Sequence, residues 1–343
     1  MKLLPRSKPL RALSVSLASL VIALGGAELY LRAFAPVKFR APLDATQDAD
    51  WRTLVHRRSV VPGLLYELAP NVAKDVRGMR VETNALGLRG RMPETPKGKD
   101  LLRIAAIGDS VTFGFSVAAE EAWPAVLERE LSATRVAHRY EVLNHGVGGY
   151  STRDEALVLE HKALALDPDL VIVAYFLNDP DFEPQQQPLH RFFRGSAWWE
   201  HFHVARLVAR SRFDREREAA GGDLYRWASA PDSDRWKSVL QAFDAVQRAT
   251  RVPILLVVFP CYRGFESFER YGYADLHARV LAAAKERGFA TLDLVPAFTA
   301  SGRSPWDVSA DPEHPNAEGH AIAASALGDF LRSHHRQLLG TDP

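Results

Sequence analysis

The chain has 343 residues, which at about 150 residues per domain predicts two domains, or one domain with accessory segments. Its 47% apolar and 25% charged residues are those of an ordinary globular protein and exclude wholesale disorder and collagen-like repeats. With 43 Lys+Arg against 42 Asp+Glu, a net charge of +1 and no basic, aromatic-studded stripe, nucleic acid is excluded as a partner. The single cysteine, Cys261, rules out an intramolecular disulfide and a cysteine-based zinc site.

The amino-terminal segment is asymmetric. Lys2, Arg6, Lys8 and Arg11 precede an apolar run that begins at Ala12, is interrupted by Glu28 and ends at Arg32. The 20 residues between Arg11 and Arg32 match the length of a helix that spans about 30 Å of hydrocarbon. Cations before the run predict a cytoplasmic amino end and export of everything after Arg32. Residues 1–35 are therefore read as a signal anchor, with Glu28 at the outer interface where its carboxylate reaches water. Two other readings stay open: a signal peptide cleaved after Gly25-Gly26-Ala27, giving a secreted protein, and a buried or interfacial helix.

Residues 36–99 read as a connector, punctuated by six prolines from Pro36 to Pro96 and packing on the main domain. Its apolar pieces, Val60–Leu68 and Met79–Thr83, are too short for a core of their own. From residue 100 to 335 the pattern alternates. Strands are expected at Leu102–Ile107, Tyr140–Leu143, Leu170–Phe176, Ile254–Phe259 and Phe289–Leu294. Helices are expected at Glu120–Ala133, Asp154–Leu166, Asp232–Thr250, Ala274–Arg287 and Ala317–Arg332. The alternation predicts an α/β fold, a five-stranded parallel sheet between two helical layers, of unknown strand order. An insertion at about 180–231 breaks the rhythm. It is read as a lid, a substrate-binding surface or a membrane-facing patch, and this insertion, which carries a Trp198-Trp199 pair, as what selects acyl length and leaving group.

Ligands of open parallel sheets bind beyond the carboxyl ends of the strands. Four loops there are polar: Gly108-Asp109-Ser110, Asn144 to Gly149, Asn178-Asp179, and Asp311 to His314. A serine becomes a nucleophile only beside a base. His314 can serve Ser110, and Asp311, three residues earlier on the same turn, can hold the other imidazole nitrogen. The Ser110 N–H, the Gly149 N–H and the Asn178 amide are candidate donors to an oxyanion. Asp109, Asp179, His145 and His320 are read as structural, and no metal site is expected.

These four blocks, in this order, resemble the SGNH hydrolases, also called GDSL esterases/lipases. The resemblance covers about residues 101–333 and departs at Phe176, where the family usually has glycine. It implies a flavodoxin-like three-layer fold and a serine esterase acting on acyl or acetyl esters through an acyl-enzyme. Ser110, His314 and Asp311 would form its triad, and no cofactor is implied. The substrate would be a small-molecule, lipid or polysaccharide ester, with the catalytic domain periplasmic or otherwise extracytoplasmic and held to the membrane by the amino-terminal helix. Two alternatives are an O-acetyltransferase of cell-surface polysaccharide, as among membrane-tethered relatives, and a non-catalytic carbohydrate-binding protein. The oligomeric state is unassigned.

Overall fold

The first long element is α1 (Lys8–Phe34), followed by two antiparallel hairpins, β1 (His56–Arg58) with β2 (Tyr66–Leu68) and β3 (Ala73–Val76) with β4 (Met79–Glu82). The computed structural model describes residues 8–37, 54–76, 78–133, 138–180, 188–195 and 197–340. The cations Lys2 and Arg6, connector residues 38–53 and insertion residues 181–187 lie outside them.

Five strands then build one parallel sheet: β5 (Leu101–Gly108), β6 (Arg139–Asn144), β7 (Leu170–Tyr175), β8 (Ile254–Val258) and β9 (Ala290–Asp293). Their order in space is β6-β5-β7-β8-β9. β5, β7 and β8 are buried along their whole length. That explains their continuous apolar runs, since helices cover both faces of the sheet. The intervening helices are α2 (Ser110–Phe113), α3 (Trp123–Ala133), α4 (Thr152–Val158), α5 (Pro188–Arg194), α6 (His203–Ala219), α7 (Leu224–Ala228), α8 (Asp234–Ala249), α9 (Ala274–Lys285), α10 (Val295–Ala300), α11 (Ala317–Ser333) and α12 (His335–Leu339). In α3 the buried Trp123, Val126, Leu127 and Leu131 repeat at helical spacing, and the same face meets α11. The α11 start is fixed by Asn316, whose side chain accepts the Gly319 N–H at 3.0 Å.

The helix expected over Asp154–Leu166 is instead α4 continued by a π turn, Leu159–Ala163, and a 3₁₀ turn, Leu164–Leu166. The π turn carries Lys162, whose ammonium lies 3.1 Å from the buried Glu67 carboxylate on β2. Connector and main domain thus share an ion pair. They also share a core, because Val55, Tyr66, Leu68, Val76 and Val81 belong to the same buried cluster as the sheet.

A second buried pair ties the amino-terminal end of the sheet together. Arg103 on β5 and Glu141 on β6 are both buried, with Nε 2.6 Å from the carboxylate. Glu141 also accepts the Glu94 N–H at 3.0 Å and pairs with Arg91 at 2.8 Å. Removing one partner of such a pair leaves an uncompensated buried charge. Glu141→Ala is therefore expected to cost about 3–5 kcal/mol, measured by chemical denaturation of the detergent-solubilised chain; a loss under about 1 kcal/mol would show that the buried guanidinium is satisfied without it.

Candidate active site

β5 is the strand where the topology reverses, with β6 on one side and β7 on the other. The loops leaving these three strands converge on one cleft, as expected at such a switch point. Ser110 opens α2 directly after β5. Asp109 shapes this turn, its carboxylate accepting the Val111 N–H at 2.8 Å. Gly114, in the left-handed region at φ 83°, ends α2 after one turn. The β6 loop passes so close that a Cβ on Gly146 would sit 2.2 Å from the Phe113 nitrogen. Asn144 holds both sides, donating to the Thr112 carbonyl and accepting the Gly146 N–H.

The opposite wall carries the 311–314 turn. One Asp311 carboxylate oxygen accepts the N–H groups of Glu313 at 2.8 Å and His314 at 2.9 Å. This bends the chain so that His314 Nδ1 stands 2.8 and 2.9 Å from the two Asp311 oxygens. The Tyr262 N–H, just beyond β8, props the turn by donating to the Pro312 carbonyl at 3.1 Å. His314 Nε2 then lies 2.9 Å from Ser110 Oγ, and Phe115 packs on the imidazole with ring centroids 4.7 Å apart. Ser110 Oγ is also 3.3 Å from Asp109 Oδ2. With Nδ1–H directed at Asp311, Nε2 is an acceptor and the hydroxyl donates to it. A hydroxyl, an imidazole and a carboxylate in this line are a proton path able to convert the hydroxyl into a nucleophile.

The electrostatics suit that path. Burial lowers the His314 pKa, but the Asp311 hydrogen bond and charge outweigh it and the net shift is upward. Asp311 moves the other way: burial raises it, while the imidazole and two N–H donors hold it below the usual carboxylate range. Behind Ser110 lie three fully buried carboxyls. Burial pushes Asp109 up, and burial with repulsion from neighbouring carboxylates pushes Glu155 and Asp179 well above their ordinary values. Asp179 accepts from the Thr152 hydroxyl at 3.4 Å. His145 and His320 are buried and pushed down to about 3 by desolvation, so both are neutral packing groups. His320 accepts the Trp123 N–H through Nδ1.

Ser110, Gly149 and Asn178 all border the cleft, which has a volume of about 190 Å³. Gly149 adopts φ 78°, a conformation glycine enters without strain. Among the described residues no hydrogen bond takes the N–H of Ser110 or Gly149. The Asn178 amide contacts the Asp109 carboxylate. Phe176 is turned into the core against Tyr225 and does not line the cleft.

Sequence reasoning missed the connector. Its Val55, Val76, Met79 and Val81 line the cleft. The Tyr66 hydroxyl donates to the Gly148 carbonyl at 2.9 Å, and the Tyr150 hydroxyl donates back to the Tyr66 carbonyl at 2.6 Å. Arg89 is buried under α2 and donates to the carbonyls of Phe113, Gly114 and Val117 at 2.6–2.7 Å; its guanidinium, pushed down to about 10 by burial, stays charged. The insertion contributes Leu189 to the cleft lining, while Trp198 and Trp199 do not border it.

Comparison with curated proteins gives no match. Among solved structures, the chain is similar to a two-domain esterase active on acetylated mannans (17% identity, TM-score 0.44) over 71% of its own length and 50% of that protein. It spans only about half of that relative. It is also similar to an acetylxylan esterase from Geobacillus stearothermophilus (20% identity, TM-score 0.43, 67% of this chain and 93% of that one). A third is an alpha/beta hydrolase enzyme from the metagenome of Lake Arreo, Spain (19% identity, TM-score 0.43, 70% of this chain and 97% of that one). The model of the GDSL-like lipase/acylhydrolase family matches residues 106–322, from within β5 into α11. Matched over more than half its length, the chain belongs to that family, the SGNH-type carboxylic ester hydrolases.

Proposed function

We propose that this protein is a membrane-anchored serine esterase that cleaves acyl or acetyl esters through an acyl-enzyme. The observation that carries this reading is the unbroken line Ser110 Oγ–His314 Nε2 at 2.9 Å and His314 Nδ1–Asp311 at 2.8 Å, bordering an apolar cleft. Ser110 Oγ attacks the ester carbonyl carbon as its proton passes to His314 Nε2. The carbonyl oxygen becomes an oxyanion facing the N–H groups of Ser110 and Gly149 and the Asn178 amide. Collapse breaks the C–O bond to the alcohol, which leaves with the proton from His314. Water, deprotonated by His314, then releases the acid and restores the Ser110 hydroxyl. Asp311 keeps Nδ1 protonated and stabilises the imidazolium. Oxyanion donors of this kind contribute about 10²–10³ each in rate.

The catalytic unit in this reading begins with the connector, since the cleft walls, the Gly148 clasp and the Arg89 support all lie before residue 100. Retention of α1 is favoured by its own contacts. The Glu28 carboxylate accepts the N–H groups of His203 and Val204, and Arg32 donates to the His201 carbonyl at 2.7 Å. Cleavage after Ala27 would leave these contacts to a severed helix end.

Ser110→Ala is expected to reduce hydrolysis of p-nitrophenyl acetate by more than about 10³-fold with the fold intact; equal rates in both proteins would end the esterase reading. His314 must be neutral to accept the serine proton, and its pKa is raised above the ordinary 6.5. The kcat/KM profile should therefore fall with acid through a midpoint above 6.5. Asp311→Asn removes the group that raises it, so the midpoint moves down while the rate drops. A midpoint indifferent to Asp311 would separate the carboxylate from the imidazole. Arg89→Ala removes the guanidinium from the Phe113, Gly114 and Val117 carbonyls, and kcat and Tm should both fall. Arg89→Lys should restore only part, because one ammonium lacks the guanidinium's spread of donors. Unchanged kcat in Arg89→Ala would show that the nucleophile turn holds without it.

A further inference from the structure

α1 and the insertion meet at one place. From Ala12 to Phe34 the helix has membrane-spanning length and hydropathy, and that apolar window is not buried against the rest of the protein. At Glu28 the situation changes. Its carboxylate caps the start of α6, taking the N–H groups of His203 at 3.0 Å and Val204 at 2.9 Å. Arg32 pairs with the same carboxylate at 2.7 Å. The Val37 N–H donates to His203 Nδ1 at 3.0 Å. An acid satisfied in this way marks where the helix leaves hydrocarbon, and the short stretch from Leu29 to Phe34 then rises about 9 Å through the headgroup zone.

The side chains around that junction are apolar and turned to the outside. On α1 they are Leu29, Tyr30 and Phe34, with the last 78% exposed. On the insertion they are Trp198 at 76%, Phe202 and Val208. Tyr30 and Phe34 form a ring pair at 5.5 Å, and Trp198 and Phe202 another at 6.3 Å. Farther along α6 exposed arginines appear, Arg210 and Arg212 paired with Asp214 and Glu216 on the same helix and Arg215 beyond them. Trp and Tyr beside the end of a spanning helix, followed by arginines, are what a bilayer interface selects. A water-facing surface gains nothing from this apolar cluster.

We propose that the 198–208 segment is a foot that lies in the outer interface of the bilayer and, locked to α1 through Glu28, fixes the catalytic domain against the membrane. This rests on retention of α1 as an anchor. The occupant of the patch is the lipid interface, because the patch is continuous with the spanning helix. The same insertion lines the cleft through Leu189.

The test uses the full chain reconstituted in phosphatidylcholine–phosphatidylglycerol vesicles. The native Cys261 is buried, which leaves introduced cysteines as the labelled sites. Nitroxides are placed by Phe202→Cys, Val208→Cys, Leu20→Cys and, on the exposed face of α8, Gln241→Cys. Collision with oxygen and with a water-soluble nickel chelate reports depth. The expected result puts positions 202 and 208 about 5–10 Å into the headgroup–acyl boundary, position 20 in hydrocarbon and position 241 in water. If 202 and 208 match 241 while 20 is in hydrocarbon, the foot is overturned and the anchor stands. If 20 is itself in water, anchor and foot both fall. Spin–spin broadening at 202 or 208 with neither collider reaching them would assign the patch to a second copy of the chain and overturn the lipid assignment.

Discussion

One hydrogen bond organises the site: Ser110 Oγ to His314 Nε2, 2.9 Å long and bridging 204 positions of sequence. Neither partner lies in a strand. The serine sits on a one-turn helix after β5, and the histidine on a turn braced by its own aspartate and by the β8 exit loop through Tyr262. A parallel sheet makes this meeting feasible because every strand releases its chain at the same rim. The 2.9 Å contact depends on the ladder register that aligns β5 with β7 and β7 with β8. A sheet slip would move the two loops apart by a residue's rise, about 3.3 Å, more than the hydrogen bond tolerates.

The electrostatic setting follows from the same crowding. Asp109, Glu155 and Asp179 are all fully buried behind the nucleophile turn. Three ionised carboxylates there would oppose an oxyanion forming in front of them. Burial drives them toward the neutral form instead, most strongly at Glu155 and Asp179, where neighbouring carboxylates (Asp109 and Asp154 for the first, Glu155 and Asp109 for the second) add to it. Asp311 is the exception, held ionised by donors and by the imidazole. The charge that the proposed chemistry uses is thereby kept beside the histidine.

What could be read from sequence divides along a physical line. Strands β5, β7 and β8 are legible because burial on both faces forces uninterrupted apolar runs. Ser110, Asp311 and His314 are legible as candidates because each lies in a short local pattern, and the i, i+3 spacing of Asp311 and His314 by itself lets carboxylate meet imidazole. Tyr66 and Arg89 are not, because their partners are backbone carbonyls, which carry no residue identity. The hairpins β1–β4 are three or four residues long, too short for a periodicity to register.

The connector's place in the site has a simple cause. α2 is only four residues long, so its carbonyls have no following turn of N–H groups to meet them. The same sharp turn that exposes Ser110 therefore leaves Phe113, Gly114 and Val117 with carbonyls to satisfy under the protein surface. A buried guanidinium from outside the layer meets all three at once, and a tyrosine hydroxyl from the same connector does so for Gly148. Setting Ser110 on a tight turn thus creates a demand for donors, and the segment between α1 and the sheet supplies them. The connector follows α1 in the chain and supplies part of the cleft wall, so in the proposed reading the anchor and the support of Ser110 are neighbours in sequence.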